Sequence, residues 1–136
     1  MRRTLALKPD DKGAAEDVIN REAWLADAYV AAGDIAAAAQ HRDAQAHMLA
    51  ALIAADPRNR DLQDTWLTSQ IALAALEEKQ KRRDAARSRL VSALSVADQI
   101  VAFDPANKQW RQRRETIAAR LALLNLVKTG GQYADQ

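Results

Sequence analysis

The residues of this chain best suited to chemistry are its two histidines, whose side chains could bind a metal ion. His41 and His47 lie six positions apart, which places them on different sides of a helix, whereas a metal site on one helix needs ligands three or four positions apart. The chain has no cysteine, so disulfides, thiolate nucleophiles and zinc sites with cysteine ligands are excluded. We therefore predict no metal site.

Adjacent acids, which could serve in acid-base catalysis, occur at positions 10 and 11, 16 and 17, and 77 and 78. Charges at the start of a helix and on a solvated face explain these pairs better than a catalytic dyad does. The sequence contains no nucleophile-elbow motif around a serine and no glycine-rich phosphate-binding loop. We expect no enzymatic activity, no catalytic residue and no cofactor.

Basic residues form two groups that could contact nucleic acid, around position 82 and near the C-terminal end. The groups are Lys79, Lys81, Arg82, Arg83, Arg87 and Arg89, then Arg111, Arg113, Arg114 and Arg120. Aromatic residues do not alternate with these cations, acids are interspersed among them, and the net charge is only +2. A solvated surface is the favoured interpretation, and a nucleic-acid-binding or regulatory helical domain remains an alternative.

The composition predicts an all-α protein with one domain. Hydrophobic residues make up 49% and charged residues 28% of the 136 positions, alanine is abundant, and glycine, proline and aromatic residues are scarce. No apolar stretch has the length of a signal peptide or a membrane helix, so we expect a cytoplasmic protein without membrane contact.

An internal repeat of 48 residues organises the chain. Pro9, Pro57 and Pro105 are evenly spaced, and the last two lie in the matching phrases Asp-Pro-Arg-Asn and Asp-Pro-Ala-Asn. In this register three leucines, three alanines and the paired alanines of each second helix coincide: Leu25, Leu73 and Leu121; Ala26, Ala74 and Ala122; Ala37-Ala38 and Ala85-Ala86.

Turn and cap residues divide each repeat into two helices. Gly33-Asp34 is typical of a helix stop followed by a helix start, and Asp84 is the candidate cap at the equivalent turn. Asn59 and Asn107 suit the N-caps of the helices that follow the prolines. We predict five helices, near 10 to 32, 34 to 55, 59 to 80, 83 to 103 and 107 to 128, the last ending before Gly130.

These boundaries predict the following organisation within one domain. Residues 1 to 9 form the end of a preceding repeat, so the chain is expected to be a fragment of a longer array. Residues 10 to 56 and 57 to 104 form two repeats, residues 105 to 129 form a half repeat or capping helix, and residues 130 to 136 form a flexible tail.

The phrase Leu25-Ala26-x-x-Tyr29-x-x-x-Gly33-Asp34-x-x-x-Ala38 resembles the tetratricopeptide repeat. The second repeat keeps the leucine and the alanines but has Glu77 and Lys81 at the aromatic and glycine positions. The family's usual period is 34 residues, and the period of 48 residues here is similar to that of the extended repeats in bacterial multi-repeat proteins. The resemblance implies stacked antiparallel hairpins in a short right-handed α-solenoid, with a concave groove that binds a peptide or protein.

By position in the family, the groove would be lined by the first helix of each pair. In this sequence those residues are Asn20, Ala23, Trp24, Asp27 and Val30, then Thr68, Ile71, Ala75 and Glu78. One subgroup of the family binds acidic C-termini of chaperones through a lysine and asparagine clamp, and Ala23 and Asp27 replace clamp positions here. That specialised activity is therefore not expected.

The aromatic and apolar residues outside the repeat pattern suggest where partners bind. Trp66 and Trp110 lie four positions apart in the repeat, so we expect both on the helix face that packs in the core, whereas Trp24 faces elsewhere and is a candidate partner contact. The last helix has no second helix to complete its pair, so part of its leucine-rich surface should be exposed. The sequence thus predicts a scaffold module that binds a protein or peptide, with homo-oligomerisation through the terminal helix as the alternative.

Overall fold

A computed structural model describes residues 12 to 134 of the chain, with side chains from residue 13 to residue 126. It contains five helices, and the described residues form no strand. Their bounds are α1 Lys12–Ala31, α2 Ile35–Ala55, α3 Arg60–Lys79, α4 Arg83–Phe103 and α5 Lys108–Ala134. The predicted all-α class and the five helices are confirmed. The predicted helix end at residues 1 to 9 lies outside the described residues.

The chain divides into two compact units, with the division inside α3. Unit 1 is Met1–Ser69 and contains α1, α2 and the first half of α3; unit 2 is Gln70–Gln136 and contains the rest of α3, α4 and α5. In unit 1, α1 packs on α2, and in unit 2, α4 packs on α5. The predicted repeat boundaries and the superhelical stacking stay predictions.

Each unit buries an apolar core of its own. In unit 1, Ala15, Ile19, Leu49 and Leu52 form a cluster, against which Met48, Leu62 and Trp66 pack. In unit 2, the buried residues of α4 follow one another at intervals of three and four positions, which places them on one face of the helix: Ala86, Leu90, Ala93, Ala97 and Ile100. Trp110 is buried as well. The core positions predicted for Trp66 and Trp110 are confirmed.

The turns after α1 and α3 have the same backbone at positions 48 residues apart. Gly33 has φ +84°, and Lys81, its equivalent in the repeat, has φ +65°. The Asp34 amide donates to the Tyr29 carbonyl at 2.9 Å, and the Arg82 amide donates to the Glu77 carbonyl at 2.8 Å. Both helices therefore end in the left-handed turn that glycine favours, although the second turn has no glycine.

Replacing Lys81 with glycine is expected to raise the free energy of unfolding by about 0.5 to 1 kcal/mol, because glycine adopts positive φ without the steric cost that a side chain brings. Urea denaturation measures the change. Lys79→Gly, at the last residue of α3, is the matched control and should lower stability instead. A loss of stability in both variants would contradict the proposed cost at Lys81.

Three of the predicted helix caps are present. Asn59 Oδ1 accepts the Leu62 amide at 3.1 Å, and Asn107 Oδ1 accepts the amide of Trp110, the repeat equivalent of Leu62, at 3.0 Å. Asp34 Oδ1 accepts the Ala37 amide at 3.0 Å. These bonds satisfy amides that have no partner within their own helix.

Two predicted helix boundaries differ from the structure. Asp84 is not the cap of α4: it lies in the first turn of the helix and pairs with Arg87 at 2.7 Å, and the cap position is occupied by Arg82 without a side-chain bond. The backbone of α5 continues to Ala134, beyond the glycines at 130 and 131. Glycine inside a helix costs about 1 kcal/mol relative to alanine, which weakens a helix without forbidding it.

The alanines at equivalent repeat positions are buried in α1 and α3 but exposed in α5. Ala26 and Ala74 are each only 1% exposed, whereas Ala122 is exposed. Leu73 is buried, while Leu25 and Leu121 are half-buried. Ala26 faces a packed hairpin partner in unit 1, and the described residues contain no later helix to cover Ala122 in the same way. Part of the terminal helix is exposed, as predicted.

Candidate functional site

Unit 1 contains an open cleft of about 360 Å³ between its helices. This volume lies at the lower end of the ~300 to 1,000 Å³ typical of ligand pockets. Residues of α1, α2, the following turn and α3 line the cleft: Glu16, Ile19, Asn20, Leu49, Asn59, Asp61, Leu62 and Thr65. We call this the unit 1 cleft.

The helical spacing separates an apolar floor from a polar rim. Ile19 and Leu49 belong to the buried cluster of unit 1, and Leu62 is half-buried against it. Glu16 and Asn20 lie four positions apart on α1, so they share one face of the helix. Both are exposed at the rim. The cleft thus presents apolar surface at its base and polar groups at its mouth.

The cap of α3 positions the opposite wall. Asn59 accepts the Leu62 amide through Oδ1 and donates to Asp56 Oδ2 at 3.3 Å, so its side chain is held within the turn. Asp61 and Thr65 then lie one helical turn apart, and the Thr65 hydroxyl donates to the Asp61 carbonyl at 3.0 Å. This wall is therefore anchored by local hydrogen bonds before any ligand arrives.

The rim of the cleft is acidic. Glu16 and Asp61 are its ionisable lining residues, both are exposed, and none of the described residues that line the cleft is a cation. Unit 1 as a whole contains eleven acids and eight lysines or arginines, a net charge of −3. A ligand with an apolar group for the floor and a positive charge for the rim matches this arrangement.

The structure places one of the predicted groove residues, Asn20, in the cleft. The other four on α1 do not line it: Ala23 is half-buried, Trp24 and Val30 are exposed, and Asp27 pairs with Arg42 at 3.0 Å. Trp24 is 69% exposed, so it does face away from the core of unit 1.

The predicted groove residues of α3 fall into both units. Thr68 is exposed in unit 1. In unit 2, Ile71 and Ala75 are half-buried, and Glu78 lies 3.6 Å from Arg120. The sequence does not indicate the floor or the acidic rim, because the family register predicts other groove positions. It explains the acid at position 16 as a charge at a helix start or on a solvated face.

Side chains at equivalent repeat positions join α1 to α2 in unit 1 and α3 to α4 in unit 2, but the two contacts differ in chemistry. In unit 1, His41 of α2 lies 2.7 Å from Glu22 and stacks on Tyr29, with ring centroids 5.3 Å apart. His41 is half-buried, and its ring packs between the two helices because Glu22 and Tyr29 both face it.

In unit 2, the equivalent positions hold Gln70, Glu77 and Arg89. Arg89 of α4 makes two hydrogen bonds of 2.9 Å to Glu77 and one of 2.9 Å to Gln70. The three residues correspond to Glu22, Tyr29 and His41 shifted by 48. The repeat therefore preserves which positions meet, while an aromatic stack in one unit is replaced by an ion pair in the other.

Several of the arginines considered for nucleic-acid contact form intramolecular pairs. Arg87 pairs with Asp84, Arg89 with Glu77, Arg114 with Asp98 and Arg120 with Glu78. By contrast, four exposed cations lie in and beside the turn between α3 and α4: Lys79 ends α3, Lys81 and Arg82 lie in the turn, and Arg83 begins α4. We call these four residues the basic turn.

Comparisons of the chain with models of protein families, with curated proteins and with solved structures found no match. The tetratricopeptide resemblance therefore depends on the residues quoted for it. Within the part of the chain that the structure describes, no group of three acidic or histidine side chains is arranged to hold a metal ion. No helix among the same residues is long and apolar enough to cross a membrane.

Proposed function

We propose that this chain is a non-catalytic, tetratricopeptide-like interaction module that binds a peptide or protein segment in the unit 1 cleft. The observation that carries the proposal is a preformed cleft whose buried apolar floor is edged by exposed polar residues. Binding sites commonly combine an apolar surface with a few polar groups that fix the ligand's orientation. Here Ile19, Leu49 and Leu62 would supply contact area, and Glu16, Asn20 and Asp61 would supply polarity.

The construction of the cleft favours an extended or helical peptide over a small molecule. The cleft is open to solvent, and residues of both α1 and α3 line it over one helical turn or more, so a chain could lie along it. Apolar side chains of such a segment would enter between the walls while its backbone stays near the rim. Trp24 and Thr68, both exposed in unit 1, are available to extend the contact.

Selection of binding peptides from a random phage-displayed library on the immobilised chain tests the proposal. Filling the cleft with Asn20→Trp should weaken a selected peptide by about tenfold or more, because the new side chain occupies the space of the ligand. Ala51→Trp, at an exposed position of α2 that does not line the cleft, is the matched control and should bind as the natural chain does. Absence of selected peptides, or equal loss in both variants, would overturn the proposal.

Homo-oligomerisation is a second candidate function, and exposed leucines on α5 favour it. Leu123 and Leu126 are 60% and 67% exposed. Isolated apolar residues on a surface are ordinary, but two leucines about one turn apart beside the exposed Ala122 form a contiguous apolar stripe.

A further inference from the structure

We infer that the occupant of the unit 1 cleft is a second copy of this chain, which inserts the α5 end of its unit 2. The inference rests on the proposed function of the cleft and names its partner. It depends on a surface of unit 2 that matches the cleft in both polarity and charge.

The surface of unit 2 combines exposed leucines with exposed cations. Leu123 and Leu126 project from the described part of α5. Arg87 at the start of α4 donates to Asn125 of α5 at 3.2 Å, which brings the beginning of α4 beside this part of α5. Arg120 Nη1 lies 3.6 Å from Glu78 Oε2, so the end of α3 also lies beside α5, five residues before Asn125.

The basic turn joins these two helix ends, so its four exposed cations lie at the same end of unit 2 as the leucines. We call the basic turn together with Leu123 and Leu126 the unit 2 end. Net charge agrees with the local picture, since unit 2 contains twelve lysines or arginines and seven acids, a net charge of +5.

The unit 1 cleft and the unit 2 end are complementary. The cleft has an apolar floor and an acidic rim, and the end has apolar side chains and a basic rim. Opposite charges would steer the unit 2 end of one copy toward the cleft of another, and like charges would oppose contact between two clefts or between two unit 2 ends. Burial of the leucines against the apolar floor would then stabilise the complex. Glu16 and Asp61 would face cations of the neighbouring copy.

Because the two surfaces are different patches of one chain, the contact is heterologous. Each copy would offer a free cleft in its unit 1 and a free unit 2 end, so association would continue into a ring or an open row. The assembly should grow with protein concentration and dissociate as salt screens the charges.

Sedimentation velocity of the full chain over a concentration series, at low and high salt, is the first test. We expect species larger than a monomer at high concentration and low salt. Two double variants separate the surfaces: Glu16→Lys with Asp61→Lys in the cleft, and Leu123→Glu with Leu126→Glu on α5. All four positions are exposed, so folding should be retained, as circular dichroism would check.

Each double variant alone should sediment as a monomer. Mixed in equal amounts, they should form a one-to-one complex, because each retains the surface that the other lacks. Val91→Glu, at an exposed position of α4, is the matched control and should associate as the natural chain does.

A natural chain that is monomeric at every concentration would overturn the inference, and selection of peptides by its cleft would then still support the proposed function. Association abolished by the α5 variant but unaffected by the cleft variant would indicate a symmetric contact between α5 helices, and would overturn the inference as well. Failure of the mixture to form a complex has the same consequence.

Discussion

Arg89→Ala is expected to lower the free energy of unfolding by about 2 to 3 kcal/mol. Arg89 makes a two-bond contact with Glu77, whose side chain is 7% exposed, and also bonds Gln70. Removing the arginine leaves a buried carboxylate without its counter-ion. A fully buried pair would lose about 3 to 5 kcal/mol, and we expect less here because the Arg89 side chain is 26% exposed and solvent screens part of the interaction.

Arg87→Ala, two positions earlier on α4, is the matched control. Arg87 pairs with Asp84, which is 92% exposed, and also bonds the exposed Asn125, so we expect its removal to cost only about 0 to 1 kcal/mol. Urea denaturation followed by circular dichroism measures both variants. Equal effects at Arg87 and Arg89 would mean that the contact to Glu77 and Gln70 does not hold α3 and α4 together.

Ala74→Phe is expected to destabilise unit 2 by about 1 to 3 kcal/mol. Ala74 is 1% exposed in a packed core, where a ring in place of a methyl group forces neighbouring side chains and backbone to move. Thermal unfolding of the variant would show a lower midpoint temperature than that of the natural chain.

The same substitution at Ala122 is the control, since this alanine holds the equivalent repeat position but is exposed. Ala122→Phe should change stability by no more than about 0.5 kcal/mol. Equal destabilisation by the two substitutions would contradict the burial difference between α3 and α5. If neither variant lost stability, the result would contradict close packing around Ala74.

The fold was predictable wherever local chemistry and the period of 48 agree. Asn59, Asn107 and Asp34 cap helices because their short side chains reach free amides nearby, and this requires no knowledge of distant packing. The turn at Gly33 follows the same logic. At Lys81 only the repeat indicates a left-handed turn, since lysine has no intrinsic preference for positive φ.

The parts that sequence reasoning missed depend on tertiary contacts. The cleft joins residues of α1, α2 and α3 that are far apart in sequence, so helical periodicity alone places each on a face without showing that the faces meet. The family register led to Ala23 and Asp27, whereas the structure places Glu16 and Asp61 at the rim. Likewise, Glu77 occupies the position where the family has an aromatic residue. Its carboxylate can be buried there because it pairs with Arg89, a contact that the sequence does not show.

Chemical-shift mapping with the isotope-labelled chain tests the central claim, that the unit 1 cleft binds a peptide or protein segment, most directly. On titration with a phage-selected peptide, we expect the largest amide shifts at residues 16 to 20 of α1 and 59 to 65 around the start of α3, with smaller changes at Trp24. Shifts confined to unit 2, or no shifts at saturating peptide, would contradict the account.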